Sequence, residues 1–273
     1  MKKIDFLSDN LKIELLDFLY EDEVLNIFMI HYLENQPEAV GELYIGRTGN
    51  EVSEVLHIKN DGNSYFTSFY CPTPEGLQKA AHLLGGMEDD PILLAGRAEQ
   101  VEQILSCLNK KEELYMNNYY RFSGTLEPLE VRNDEYAFRK AVMNVTDTER
   151  LKELYVEFFE AEDEKDIERL TDEDKITEDL KNGVYFLEVK GEVAGMARFF
   201  GYSKNYMDIT TVLVDSRYRN KGYGELIMRL MVQEALRENK TPITQTSLVN
   251  EKARHIYEKI GFEKVCDYTF QFL

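Results

Sequence analysis

Arg217, Arg219 and Lys221 crowd into the segment "RYRNKGYG", which also holds Gly222 and Gly224 and no acidic residue. The rest of the 273-residue chain is strongly acidic, with 51 Asp and Glu against 32 Lys and Arg and a formal net charge of −19. The basic segment runs directly into "ELIM", the start of an apolar pattern with helical spacing. This arrangement points to an anion held at a helix start. The first turn of a helix leaves about four backbone N–H groups without intrahelical partners and carries a partial positive charge. Phosphate binds such an end readily, and glycines let the backbone come close to it.

Two specific phosphate motifs are excluded. No GxxxxGK[ST] loop occurs, and a GxGxxG fingerprint fails because its third position is Ile227. The pattern is R-x-x-G-x-G after "VLV", formed by Arg219, Gly222 and Gly224. A second pattern follows in "NEKARHIYEKIGF", where Asn250, Ala253, Tyr257, Gly261 and Phe262 stand at fixed spacing. Together, in this order, the two resemble the acetyl-CoA-binding core of the GNAT superfamily of N-acetyltransferases. The resemblance covers about residues 129–273 and reaches the first half only in outline.

The resemblance implies acetyl-CoA as co-substrate and assigns roles to residues. The backbone of Val212, Leu213 and Val214 would run beside the pantetheine arm. The amides around Arg219, Asn220, Lys221, Gly222, Tyr223 and Gly224 would hold the pyrophosphate. Asn250 would contact the cofactor arm, and Ala253 would leave it room. Tyr257 matches the position of the general acid that protonates the leaving thiolate, although a helix tyrosine can equally pack on the sheet. Asp208 stands where several members place a general base, and would act through water; it can equally be a surface acid at a strand edge. The thioester would sit where the strands "TTVLV" and "ITQTSL" splay apart.

The elements that must position these residues read as two similar halves. The composition, 43% hydrophobic and 30% charged with 15 Phe and 17 Tyr, supports packed cores. Residues 11–34 have helical spacing. "GELYIGRTGNEVSEVLHI" and "SYFTSFYC" alternate as strands, with "TGN" and "NDGN" as turns. "TPEGLQKAAHLLGG" reads as a helix capped by Thr73, and "PILLAG", "RAEQVEQILSCLNK" and "ELYMNNYYRF" as strand, helix and strand. A linker near "SGTLEPLEVRND" separates a domain 1–125 from a domain 126–273. The second half then runs through a strand "EYAFRKA", a helix with Thr146 as its cap, a helix "DKITEDLKNG", a hairpin turning at Lys190-Gly191 and the strand "YMDITTVLV". The shared order suggests an internal duplication: an α/β (α+β) fold of two GNAT-like domains, each a mixed, mostly antiparallel sheet flanked by helices. The first half lacks R-x-x-G-x-G, so it reads as a degenerate copy without a cofactor site.

Composition bounds the partners. An acidic body repels nucleic acid and anionic lipid, and neither is expected as a partner. A cationic acceptor suits the field, and Glu157, Glu160, Glu162 and Asp163 could attract one, unless they are simply a solvated helix face. Cys71, Cys107 and Cys266 lack paired spacing, and His31, His57, His82 and His255 are scattered, which speaks for reduced thiols and against a metal site. The N-terminal stretch carries acids within its apolar run and no apolar run approaches the roughly 20 residues of a membrane span, so a cytoplasmic protein is expected. The function expected is acetyl transfer to a primary amine of a small molecule or peptide, by a monomer or homodimer. The alternative is a non-catalytic acyl-CoA-binding or sensing module, which would not need Tyr257 or Asp208.

Overall fold

The structure is a computed structural model and describes residues 1–60, 64–87, 91–129, 132 and 134–273. Residues 61–63 of the "NDGN" turn and residues 130, 131 and 133 of the linker fall outside the described residues.

The first half begins with strand β1 (Lys2–Lys3) and helices α1 (Asp9–Leu19) and α2 (Ile27–Asn35). The single helix expected over 11–34 is therefore broken. The Asn26 side chain donates to the Leu19 carbonyl at 2.8 Å, which satisfies the end of α1 and turns the chain before α2 starts. Strands β2 (Glu42–Thr48), β3 (Glu51–Asn60) and β4 (Tyr65–Tyr70) follow, then α3 (Pro74–Gly85), β5 (Ile92–Arg97), α4 (Ala98–Cys107) and β6 (Met116–Phe122).

The second half repeats this order. It has β7 (Tyr136–Lys140), the helices α5 (Val145–Phe158), α6 (Glu164–Leu170) and α7 (Glu173–Asn182), and strands β8 (Val184–Val189), β9 (Glu192–Tyr202) and β10 (Tyr206–Val214). It closes with α8 (Tyr223–Arg237), β11 (Thr241–Ser247), α9 (Glu251–Ile260) and β12 (Phe262–Phe272). The cap of α5 is Asn144, whose side chain accepts from Asp147 N, and not Thr146, which lies inside the first turn. The β8–β9 hairpin turns at Lys190 and Gly191, both at positive φ (53° and 83°), as a tight two-residue turn requires.

Among the described residues all twelve strands join one sheet, in the order β1-β2-β3-β4-β5-β12-β6-β11-β10-β9-β8-β7. The order is symmetric about the β12–β6 pair. The two halves have exchanged their last strands: β12 pairs with β5 of the first half, and β6 pairs with β11 of the second. Each half's sheet is thus completed by the other. Helix α2 also crosses the middle, packing on β9. One apolar cluster lies under α8 and α9 and includes Met207, Ile209, Ile227 and Tyr257. On the opposite face Val24, Ile27 and Phe28 pack on Tyr119, Ile243 and Tyr268.

Candidate functional site

Strands β10 and β11 pair in parallel only from Tyr206–Thr241 to Ile209–Thr244. Beyond that pair β10 continues to Val214 and β11 to Ser247 without registered partners in one another. The two strands therefore open into a fork. Thr244 Oγ1 donates to the Ile209 carbonyl at 2.9 Å and closes its base.

The β10 arm is irregular at the fork. Its antiparallel pairing with β9 jumps from Thr210–Arg198 to Leu213–Met196, a bulge that leaves Thr211 and Val212 out of register. Thr211 sits there at φ 53°, a strained conformation for a β-branched residue. Such strain persists only where the surroundings enforce it. Here Arg198 Nε donates to Thr211 Oγ1 at 3.1 Å, and Arg198 is itself bonded to Asp179, which accepts from Tyr155 Oη at 2.8 Å. This buried network was not read from the sequence. Its one visible signal was an arginine inside the apolar strand "VAGMARFF".

Past Val214 the chain makes a short 3-10 turn and enters α8. Asp215 fixes the loop by accepting from Arg217 N at 2.9 Å and from the Arg150 and Arg217 guanidinium groups. Those bonds, to Arg217 above all, hold its carboxyl well below the usual carboxylate range. Asn220 (φ 63°) and Gly222 (φ 82°) are both left-handed, and Gly222 is the N-cap of α8. No side chain caps this helix end. A Cβ built on Gly222 would meet nothing within 4 Å, and one on Gly224 would touch only Ile256 and Val214, each at 3.8 Å. The helix start is thus an open cradle of unshared N–H groups, and it fits a pyrophosphate.

The equivalent start of α3 in the first half is closed. Thr73 Oγ1 accepts from Gly76 N at 3.1 Å, and Pro74 has no N–H to offer. The first half's own strand fork, between β4 and β5, holds a cavity of about 200 Å³ lined by Asp22, Asn26, Tyr70, Arg97 and Tyr268 among others. Arg97 and Asp22 are ion-paired there at 2.9 Å.

Other residues singled out in the sequence fall as follows. The Arg219 side chain donates to the Val214 carbonyl at 3.1 Å and to Glu157 at 2.8 Å, so it ties the strand end to α5. Glu157 also accepts from Ser216 N, so it is not a free surface acid. Asp163 caps α6. Lys221 Nζ lies 5.3 Å from the Tyr218 ring centroid, and Tyr223 opens α8 against the core. Val212 and Val214 pack on the α8 cluster, whereas Leu213 packs with α5 and α7. Asn250 caps α9, accepting from Ala253 N at 3.1 Å, and Ala253 packs against the core.

Tyr257 is buried beneath α9, its ring 5.6 Å from Tyr120 and 5.8 Å from Phe262. Its phenol lies close to Thr244, at the base of the fork. Burial pushes its pKa up to about 12, so it carries its proton at neutral pH.

Asp208 is not a strand-edge surface acid: it is 1% exposed, and its Oδ1 has no hydrogen-bond partner. Burial raises its pKa well above the usual value, against the opposing pull of Arg198. A carboxyl raised in the folded state favours folding below its ordinary range, and that contribution is lost as pH rises through the folded value. Asp208→Asn keeps the shape and removes the titration. The variant's urea midpoint is expected to gain on that of wild type as the pH rises above the ordinary carboxylate range. A constant difference would contradict the burial of an ionisable Asp208.

Among the described residues no helix is long and apolar enough to cross a membrane. No curated protein matches the chain in sequence. The model of the acetyltransferase (GNAT) family matches residues 148–262. Solved structures with the same fold include a GNAT-family acetyltransferase of Colwellia psychrerythraea, at 13% identity and TM-score 0.63 with 100% of both chains covered. A tandem GNAT protein from the clavulanic acid biosynthesis pathway matches at 13% identity and TM-score 0.68, over 100% of this chain and 97% of that one. A Drosophila protein matches at 17% identity and TM-score 0.67, over 97% and 96%. At these identities the likeness speaks for the fold, and it extends over both halves. Over residues 148–262 the chain carries a domain of the GNAT acetyltransferase family.

Proposed function

We propose that the chain is an acetyl-CoA-dependent N-acetyltransferase acting on a primary amine, with one donor site, in the second half. The observation that carries this is the fork between β10 and β11, with a protonated Tyr257 at its base and the uncapped start of α8 beyond its β10 arm. The division into domains 1–125 and 126–273 goes with it. The capped, proline-led start of α3 offers the first half no comparable anion cradle.

In this reading the N–H groups from Arg219 to Gly224 hold the pyrophosphate. The exposed backbone of Val212, Leu213 and Val214 lies along the pantetheine arm, with Asn250 and Ala253 beside it. Lys221 adds charge at the loop, while Arg219 mainly braces it through Glu157. Acetyl-CoA supplies the acetyl group as a thioester, an acyl donor with a fair leaving group. In its ionised form Asp208 accepts a proton from the attacking amine. The backbone freed by the bulge at Thr211 and Val212 offers N–H donors to the developing oxyanion, and Tyr257 gives its proton to the departing sulfur.

The test is amine-dependent release of free thiol from acetyl-CoA, followed across small primary amines and peptides with free N-terminal or lysine amines. Release that rises with amine, and a product heavier by one acetyl group, is expected. Binding of acetyl-CoA without thiol release for any amine would favour a binding module instead.

A further inference from the structure

Six buried side-chain polar atoms lack a hydrogen-bond partner among the described residues; four lie on the adjacent strands β6, β11 and β10, and three of these four share a face. The three are Asp208 Oδ1 on β10, Gln245 Oε1 on β11 and Tyr119 Oη on β6. The register puts them on one face. Asp208 pairs with Ile243, and Gln245, two residues further along β11, pairs with Tyr119. Paired residues share a face, and so do residues two apart. It is the face covered by Val24, Ile27 and Phe28, with which Ile243 and Tyr119 pack. Asp208 and Tyr119 are each 1% exposed, while Gln245 is partly exposed and marks the open side.

Buried polar groups in native proteins are almost always satisfied, so three unsatisfied ones together call for something that completes them. A carboxyl oxygen that carries no proton and an amide oxygen only accept hydrogen bonds, and a phenol can accept as well. The complement is a group with several N–H donors. The cluster also lies one residue pair from the base of the fork, since Ile209–Thr244 follows Asp208–Ile243. Phe28, Phe200 and Tyr268 wall it with apolar surface.

We propose that Asp208, Gln245 and Tyr119 seat the primary amine of the acceptor, an amine with an apolar carbon skeleton. The first half of the chain thus supplies a residue, through its exchanged strand β6, to the site of the second. The chemistry that follows binding rests on the acetyltransferase reading; the amine seat itself does not. Tyr119 and Gln245 act on binding and orientation, while Asp208, in its ionised form, also receives the proton.

Tyr119→Phe and Gln245→Met are compared with wild type in four measurements. These are melting temperature, Kd for acetyl-CoA, steady-state KM and kcat for 2-phenylethylamine, n-butylamine and putrescine, and calorimetric binding of the same amines without acetyl-CoA. Tyr119→Phe removes an unsatisfied hydroxyl, so its melting temperature is expected to hold or rise, which a structural hydrogen bond would not allow. Acetyl-CoA binding should stay within about twofold, and KM for 2-phenylethylamine should rise about tenfold or more with a smaller change in kcat. Putrescine, with a second charge, should bind more weakly than n-butylamine. If wild type turns over and both variants keep its KM, the seat is elsewhere and the acetyltransferase reading survives. If wild type binds amines but no acetyl-CoA, and the variants weaken amine binding, the seat stands and the acetyltransferase reading falls. If none of the three amines binds or reacts, buried water completes the three atoms and the proposal is overturned.

Discussion

Tyr257→Phe is expected to lower kcat on the order of 10²-fold while Kd for acetyl-CoA stays within about twofold. The substitution removes only the hydroxyl. The ring, which packs on Tyr120 and Phe262, remains, so the fold and the pyrophosphate loop are untouched. The phenol pKa of about 12 means that the wild-type acid stays protonated throughout the working range, so the loss should not titrate away near neutrality. It should shrink at low pH, where deprotonation of the amine limits the rate and proton delivery to sulfur no longer does. A kcat equal to wild type at both low and high pH would make Tyr257 a packing residue and nothing more.

Gly222→Glu is expected to weaken acetyl-CoA binding at least ~100-fold, the scale of losing hydrogen bonds to a charged group. Two effects combine. The residue sits at φ 82°, where a side chain costs roughly 1–2 kcal/mol. The new carboxylate also lies at the helix start, where it competes for the N–H groups and repels the phosphates. Gly222→Ala separates the two effects. Its Cβ would meet nothing within 4 Å, so it carries the backbone strain without the charge and should retain most of the affinity. If calorimetry finds both variants equally impaired, backbone conformation and not anion recognition decides the effect.

Much of this site was legible because its signals are local. The R-x-x-G-x-G and N-x-x-A-x-x-x-Y patterns each lie on one continuous stretch. The left-handed Gly222 and the turn at Lys190-Gly191 follow from what those residue types do to their own backbone. Long-range pairing leaves no such mark. Nothing in "MNNYYRF" says that its neighbours are β11 and β12, because a strand's alternation is the same whichever strands flank it. For that reason the exchange of terminal strands, and with it the placement of Tyr119 on the same face as Asp208, was invisible in the sequence. The break between α1 and α2 was hidden for a similar reason. Apolar spacing continues through it, and one side-chain bond from Asn26 to Leu19 ends the helix. The burial of Asp208 depends on what covers β10, which the alternation of "YMDITTVLV" does not reveal.

The first half shows why an outline alone is insufficient. It repeats the fold, down to the fork between β4 and β5, yet its helix start is capped by Thr73 and led by Pro74, and its fork is crossed by the Arg97–Asp22 pair. Fold symmetry has outlasted site symmetry. What the first half contributes is β6 and the cover from α2, both of which complete the sheet and core of the second half.

Calorimetric titration of acetyl-CoA into the intact chain tests this account most directly. A donor site built only by the second half predicts one acetyl-CoA bound per chain, with binding lost in Gly222→Glu. Two equivalents per chain, or one equivalent that Gly222→Glu leaves unchanged, would contradict it.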